Sequence, residues 1–372
     1  MNRQSGSMAY KFIIAGGGTG GHIFPALAIA NKLKSLLPDA TFLFVGAKGK
    51  MEMEKVPQAG YEIQGLTIAG FNRSSLLKNI GLPFKLIQSF IQVSRIIKKF
   101  KPDAVIGVGG YSSFPVLRMA QSKGIPTFIH EANSFAGKSN MLLGKKAVRI
   151  YTATDGMEKF FPKANIVISG NPVRTSIVNS SSTQAEAIQF FGLQPGVKTL
   201  LSVGGSLGAQ TINEAICKDM HLLRANGLQL IWQTGKSYAE KARTCIATGE
   251  NVYVNDFITD MEKAYAAADI VISRSGAMSV SELCIVGKPV IFVPYPYAAE
   301  DHQTVNAQKL VSKNAALMIK DQDAADSLIT AVNDLAADQE KQVLLKKNIQ
   351  SLAITNADEI VARDIIAYLD QK

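Results

Sequence analysis

The sequence predicts an α/β protein of two Rossmann-like, doubly wound parallel-sheet domains facing a cleft. Three observations predict it. Short apolar runs alternate with amphipathic stretches at helical spacing along the chain, the rhythm of parallel strands joined by crossover helices. Each half opens with one device, a strand running into a glycine-rich turn: Gly16-Gly17-Gly18-Thr19-Gly20-Gly21 and then Gly204-Gly205-Ser206-Leu207-Gly208. The length, 372 residues, exceeds what one core usually holds, so two domains are expected.

In the first half, residues 11–15, 41–45, 104–108 and 127–130 read as strands. In the second half, 199–203, 228–232, 270–272 and 289–293 do. Each is a continuous apolar run, as a strand covered on both faces requires. The boundary is expected near Ser169–Arg174 or in the polar run Asn179–Thr183, giving domains 1–172 and 173–352. Ile360, Val361, Ile365, Ile366 and Leu369 recur at helical spacing, so 353–372 is expected to end the chain as a helix packed back on the first domain.

Composition bounds the rest. Hydrophobic residues make up 47% and charged residues 19%, which describes a large core and excludes a disordered chain. The net charge of +10 is either a plain basic surface or the mark of an anionic partner, membrane or nucleic acid. Cys217, Cys245 and Cys284 are scattered without metal-ligand spacing, which fits a reducing compartment and no disulfide framework. No stretch approaches the ~20 apolar residues of a spanning helix. Residues 1–7 are polar and form no secretory signal. A cytoplasmic protein with peripheral membrane contact is expected.

The most informative segment is Ser273–Glu282. A buried strand, a turn of small residues and a helix opening near Ser279 make an anion site, because first-turn N–H groups point outward unpaired. Glu282 lies one turn into that helix, within reach of sugar hydroxyls. The segment therefore points to a nucleotide sugar, with phosphate on backbone N–H groups and ribose on a carboxylate.

Other patterns exclude chemistry. Gly16-x-Gly18-x-x-Gly21 matches the dinucleotide fingerprint, but the second strand ends Phe44-Val45-Gly46 without the acid a nicotinamide ribose needs. Residues 132–139 imitate a phosphate loop, yet Ala132 replaces its first glycine. Asp321-Gln322-Asp323 reads as a solvated loop rather than a metal pair. His22 follows the first glycine turn; it either caps a helix start or is a base at the cleft, and the second reading is favoured. Gly109-Gly110-Tyr111 and His130-Glu131-Ala132-Asn133 end strands of the same half, where an open sheet binds ligands.

Between Glu62 and Asp103 there is no Asp or Glu. Leu86–Phe100 is expected to be a core helix with a basic outer face. Leu76, Leu77, Ile80, Leu82 and Phe84, beside Lys78 and Lys85, are expected to form a patch facing an anionic membrane surface. Nucleic acid is not expected, because aromatic interleaving is thin and no recognition motif occurs.

Taken together, Gly17–His22, Gly109–Tyr111, His130-Glu131-x-Asn133, Gly170–Arg174, Gly204-Gly205-Ser206-x-Gly208-Ala209, Ser273–Ala277 and Asp301-His302-Gln303 resemble, in the same order, the peptidoglycan N-acetylglucosaminyltransferases of glycosyltransferase family 28. The resemblance runs from about Lys11 to the final helix. It implies the GT-B fold and inverting transfer of N-acetylglucosamine from UDP-N-acetylglucosamine to the C4 hydroxyl of the muramyl sugar of lipid I. It also implies a peripheral site of action on the cytoplasmic face of the plasma membrane, with no cofactor and no tightly bound metal.

By resemblance the donor contacts are Thr19, Gly20, Gly21, Asn133, Arg174, Ser206, Ile258, Ala277, Met278, Ser279, Val280, Ser281, Glu282 and Gln303. Ile258 would hold the uracil through its backbone, and Glu282 the ribose. His22 would be the base, with Glu131 or a water as the alternative; Tyr111 and Glu131 would border the acceptor. Ala132 and Leu207 stand where the family commonly has glutamine, so side-chain contacts there are not expected. A GT-B transferase with another lipid or small-molecule acceptor, and a non-catalytic nucleotide-sugar binder, remain open alternatives.

Overall fold

The computed structural model describes residues 9–68, 82–205, 207–247 and 251–371. It divides into two compact units, Met1–Val173 with Asn356–Lys372, and Arg174–Thr355. Among the described residues the first unit carries seven strands: β1 (Lys11–Ala15), β2 (Thr41–Ala47), β3 (Glu62–Leu66), β4 (Ala104–Gly107), β5 (Thr127–Glu131), β6 (Arg149–Thr152) and β7 (Ile166–Ile168). They pair in the order β3-β2-β1-β4-β5-β6-β7, and the pairings are parallel. The second unit carries β8 (Lys198–Val203), β9 (Leu228–Gln233), β10 (Val252–Asn255), β11 (Ile270–Ser273), β12 (Val290–Phe292) and β13 (Leu317–Met318). Their order, β10-β9-β8-β11-β12-β13, is the 3-2-1-4-5-6 winding of nucleotide-binding sheets.

The alternation along β1 shows why the first sheet is covered on both faces. Phe12 and Ile14 join a cluster with Ile29, Leu33, Val361 and Ile365, whereas Ile13 and Ala15 join one with Val93, Ile97, Val116 and Leu117. Successive side chains on a strand point to opposite faces, so a strand apolar at every position needs helices on both sides. The final helix, Ala357–Asp370, supplies part of the first cluster. It is fastened by Tyr151 Oη donating to Asp364 at 2.8 Å and by Phe128 packing edge-on against Tyr368. In the second unit Leu200, Leu230, Trp232, Ile270 and Ile272 pack against Ile212 and Ile216 on one side chain cluster with Leu328 and Val332.

Several expectations need correction. The sequence reading missed β3, β6, β7, β10 and β13. Four of these lie at or next to a sheet edge and are only partly buried, so their apolar signal is diluted. The helix after β11 opens at Ala277, two residues before the expected Ser279. Cys217 and Cys245 are joined in a disulfide, against the expectation of none. The fold brings the ends of helices Gln210–Lys218 and Ala239–Thr244 to a Cα separation of 5.4 Å, which a sequence separation of 28 residues does not reveal.

Helix Leu82–Phe100 also departs from its expected burial. Val93 and Ile97 are buried, but Phe84 is 75% exposed, and Leu86, Ile87 and Ile91 are exposed with it. Its apolar face is wider than the stripe the core covers. Leu76, Leu77, Lys78 and Ile80 lie outside the described residues. Leu82, Phe84 and Lys85 begin the exposed first turns. Among the described residues no helix is long and apolar enough to cross a membrane.

Candidate active site

Parallel strands put all their C-terminal ends on one edge of a sheet, and the singled-out turns of each unit lie there. In the first unit β1 runs into Gly16-Gly17-Gly18, and Thr19 caps helix Gly20–Leu36 with an extended backbone. Two glycine turns interlock at this edge. A Cβ on Gly109, whose φ is +94°, would lie 2.8 Å from the His22 ring, and one on Gly110 would strike the backbone of Gly17. The imidazole can sit over this turn only because the side chain is missing.

His22 Nδ1 lies 2.9 Å from the Gly17 carbonyl oxygen. A carbonyl only accepts, so Nδ1 carries the proton and Nε2 the lone pair. Beneath the loop sits Glu52, 1% exposed, from helix Glu52–Gln58. Its carboxylate accepts from Gly18 N–H at 2.8 Å and Ala47 N–H at 2.9 Å. The second strand indeed lacks an acid, but the following helix delivers one to its end. There the acid binds backbone rather than a ribose.

At the end of β5, His130 is fully buried and donates from Nε2 to the Gly170 carbonyl at 3.3 Å. Burial, with a lesser contribution from the nearby His22, pushes its pKa down to about 4, so it is neutral at pH 7. Glu131, 4% exposed, accepts from Asn133 N–H at 3.1 Å, Gly137 N–H at 3.1 Å and Asn140 Nδ2 at 2.8 Å. The segment that imitates a phosphate loop thus wraps around this carboxylate. Ala132 is buried, and its carbonyl accepts from Asn171 Nδ2 at 3.1 Å. Tyr111 is 54% exposed at the same edge.

In the second unit β8 leads into the second glycine loop; Ser206 lies outside the described residues. Gly208, φ +78°, packs so tightly on the Thr234 carbonyl that no Cβ fits. Gln233 ties this loop to the uracil candidate, donating to the Gly205 carbonyl at 3.0 Å while its Oε1 accepts from Ile258 N–H at 3.0 Å. After β11, helix Ala277–Val286 starts from an extended Gly276 and has no acid in its first turn, so its positive end is uncancelled.

Glu282 is buried in that helix. Its Oε1 accepts from Arg174 Nε at 3.1 Å and Nη2 at 2.9 Å, and its Oε2 from Tyr265 Oη at 3.1 Å. Burial first, then this carboxylate, drives the Tyr265 phenol well above its ordinary pKa. Arg274 donates to the carbonyls of Val293 and Pro294 at 2.9 and 3.1 Å and pairs with Asp321. Asp321 also accepts from Thr211 Oγ1 at 3.0 Å, so it is a structural partner and not the solvated residue expected. Gln303 Oε1 accepts from Tyr295 N–H at 2.9 Å, and its carbonyl from Ser275 Oγ at 2.8 Å. Immediately before it, Glu300 and Asp301 both adopt φ +50°, a conformation that L side chains resist and that clusters at functional turns.

Thr19, Gly20, Gly21, His22, Tyr111, Glu131 and Asn133 therefore gather at one edge of the first sheet. Arg174, Ile258, Ala277–Glu282 and Gln303 belong to the second unit. Sequence reasoning missed Glu52, Gln233, Tyr265 and the Arg274–Asp321 pair. Only Glu52 left a signal, as an acid opening the helix after β2. Among the described residues no three His, Cys, Asp or Glu side chains converge to hold a metal ion.

Residues 12–152 match the glycosyltransferase family 28 N-terminal domain and residues 199–363 the glycosyltransferase family 28 C-terminal domain. A protein of Phocaeicola vulgatus is 52% identical over 97% of both chains. One of Parabacteroides distasonis is 50% identical over 98% of this chain and 99% of its own. Both are named UDP-N-acetylglucosamine--N-acetylmuramyl-(pentapeptide) pyrophosphoryl-undecaprenol N-acetylglucosamine transferase. The crystal structure of Acinetobacter baumannii MurG is similar, with a TM-score of 0.77 at 28% identity over 96% of this chain and 99% of that one.

Proposed function

The chain belongs to glycosyltransferase family 28, and from that premise we propose that it transfers N-acetylglucosamine from UDP-N-acetylglucosamine to lipid I, forming lipid II and UDP in peptidoglycan synthesis. The observation that carries the reading is the shared transferase name of relatives about half identical over nearly the whole chain. The site chemistry fits it.

The diphosphate of the donor would lie at the first turn of helix Ala277–Val286, where N–H groups and the helix dipole offset the charge growing on UDP. Glu282, held by Arg174 and Tyr265, has the right chemistry for ribose hydroxyls, which donate to a carboxylate. Gln233 takes the N–H of Ile258, and a uracil imide N–H needs a carbonyl, which the same residue provides. Gln303 would meet the donor sugar. His22 Nε2 would take the C4 hydroxyl proton as that oxygen attacks the anomeric carbon from the face opposite UDP, inverting it. Glu131, engaged by loop donors, would border the acceptor and hold Asn133 in place for the donor rather than move a proton. The exposed Phe84, Leu86, Ile87 and Ile91 beside Lys85 would rest on the anionic cytoplasmic face of the plasma membrane.

UDP release from UDP-N-acetylglucosamine, with and without a lipid I analogue, tests the reading. Release that depends on the analogue is expected. Release with other glycolipids but not with the analogue would assign a different acceptor, and binding without release would make the protein a nucleotide-sugar binder. His22→Ala is expected to lower turnover by roughly 10²–10⁴-fold with donor affinity kept; unchanged turnover removes His22 as base.

A further inference from the structure

We propose that Glu52 is a positioning residue for the transfer step, acting on the His22 imidazole through a single peptide unit. The inference rests on the reading of His22 as the base. The Gly18 N–H that Glu52 accepts and the Gly17 carbonyl that His22 Nδ1 meets belong to the same peptide plane. A buried carboxylate, a peptide and an imidazole therefore form one hydrogen-bonded line.

The line has a chemical consequence. A charged acceptor on the N–H draws electron density toward the carbonyl oxygen, which strengthens its bond to Nδ1–H. That fixes the tautomer with the lone pair on Nε2 and favours the imidazolium that forms during transfer. The arrangement does for His22 what a directly bonded carboxylate does for the histidine of a hydrolase triad, with a peptide interposed. In the step itself the C4 O–H bond breaks and Nε2–H forms. The oxygen's electron pair makes the new C1–O bond, and UDP leaves with the old one.

Two further observations make Glu52 part of a built site. A Cβ on Gly17 or on Gly46 would collide with its side chain, so the carboxylate fits only because both positions are glycine. Its second oxygen is anchored on Ala47 at the end of β2, which ties the loop to the sheet. The Gly18 N–H is thereby committed to a carboxylate and is withdrawn from any ligand at this turn. The ionisable groups linked to the imidazole are Glu52, through the Gly17–Gly18 peptide, and His130, through charge. His130 titrates near pH 4, clear of an ordinary imidazole.

The test is Glu52→Gln, which keeps the shape, removes the charge and leaves an acceptor for only one of the two N–H groups. Turnover of a lipid I analogue is expected to fall roughly 10–100-fold, with the KM for UDP-N-acetylglucosamine unchanged and the acidic limb of the kcat profile moved to lower pH. The His22 titration, followed by NMR in a chain with only 4 histidines, should move the same way. A His22 pKa equal to that of the wild type would overturn the proposal, whatever the activity. Should the variant not fold, the Gly18 amide resonance of the wild-type protein serves instead. It must follow the His22 titration, and an amide that stays still overturns the coupling. The two readings fail separately: an active His22→Ala enzyme removes the base, while the NMR coupling is read without turnover.

Discussion

Glu282 carries the donor side of the proposal at the scale of a single residue. Its two oxygens accept from Arg174 and Tyr265, so the carboxylate is oriented before any ligand arrives, and binding need not order it. Glu282→Ala is expected to raise the donor KM by roughly 10–100-fold, the worth of one or two hydrogen bonds to a charged group. Turnover at saturating donor should change far less; a variant with normal donor KM removes Glu282 from the ribose. His130 makes a separate expectation about pH. Its folded pKa of about 4 lies below the ordinary 6.5, so the unfolded chain binds a proton that the folded one refuses. Stability from this group is complete above pH 6.5 and is lost as pH falls toward 4, by up to about 3 kcal/mol. Urea unfolding at pH 7.5 and pH 5 should show that loss, and His130→Asn should reduce it; an equal pH dependence in both proteins would refute the assignment. Both residues were visible in the sequence, His130 as a strand-end polar group and Glu282 as an acid one turn into a helix. Their partners were not, because Arg174 meets Glu282 across 108 positions and Gly170 meets His130 across 40. Only the fold supplies such pairs.

At the scale of elements, what the sequence disclosed follows burial. β1, β4, β8 and β11 lie inside their sheets, apolar at nearly every position, and all four were read from that run alone. β10 and β13, at the sheet edge, are half-covered along their length, and short edge strands lack a pattern that differs from a loop. Helix Leu82–Phe100 went wrong for the opposite reason. Its apolar residues outnumber the positions that the core covers, and sequence spacing cannot tell a buried stripe from one awaiting a membrane. The exposed part makes the expectation specific. Phe84→Ser with Ile87→Ser removes side chains that are 75% and 59% exposed, so thermal stability should stay within about 0.5 kcal/mol. The affinity for anionic vesicles, read by sedimentation, should fall by at least about tenfold, because each membrane-buried side chain contributes on the order of 1–3 kcal/mol. Unchanged sedimentation would remove this face from the proposed membrane contact.

At the scale of the whole molecule, the chain is cut into two units that do not follow its linear order. The first unit is closed by residues 356–372, after the second unit is complete. Val361, Ala362, Ile365 and Leu369 enter the same cluster as Phe12, Ile29 and Phe128, and Lys32 pairs with Glu359 across that contact at 3.5 Å. A chain ending at Thr355 should therefore leave the core of the first unit open while the second unit, Arg174–Thr355, keeps every residue of its own. Removing three or four buried aliphatic side chains at about 1.5–3 kcal/mol each costs an amount comparable to the roughly 5–15 kcal/mol that a domain commonly has to spare. Calorimetry on the truncated chain should thus lose or lower one transition and retain another that UDP still raises, since a ligand stabilises only the unit that binds it. Simultaneous loss of both transitions would mean that the units are not separately stable. Loss of the UDP response, with one transition intact, would mean that nucleotide binding depends on the first unit as well.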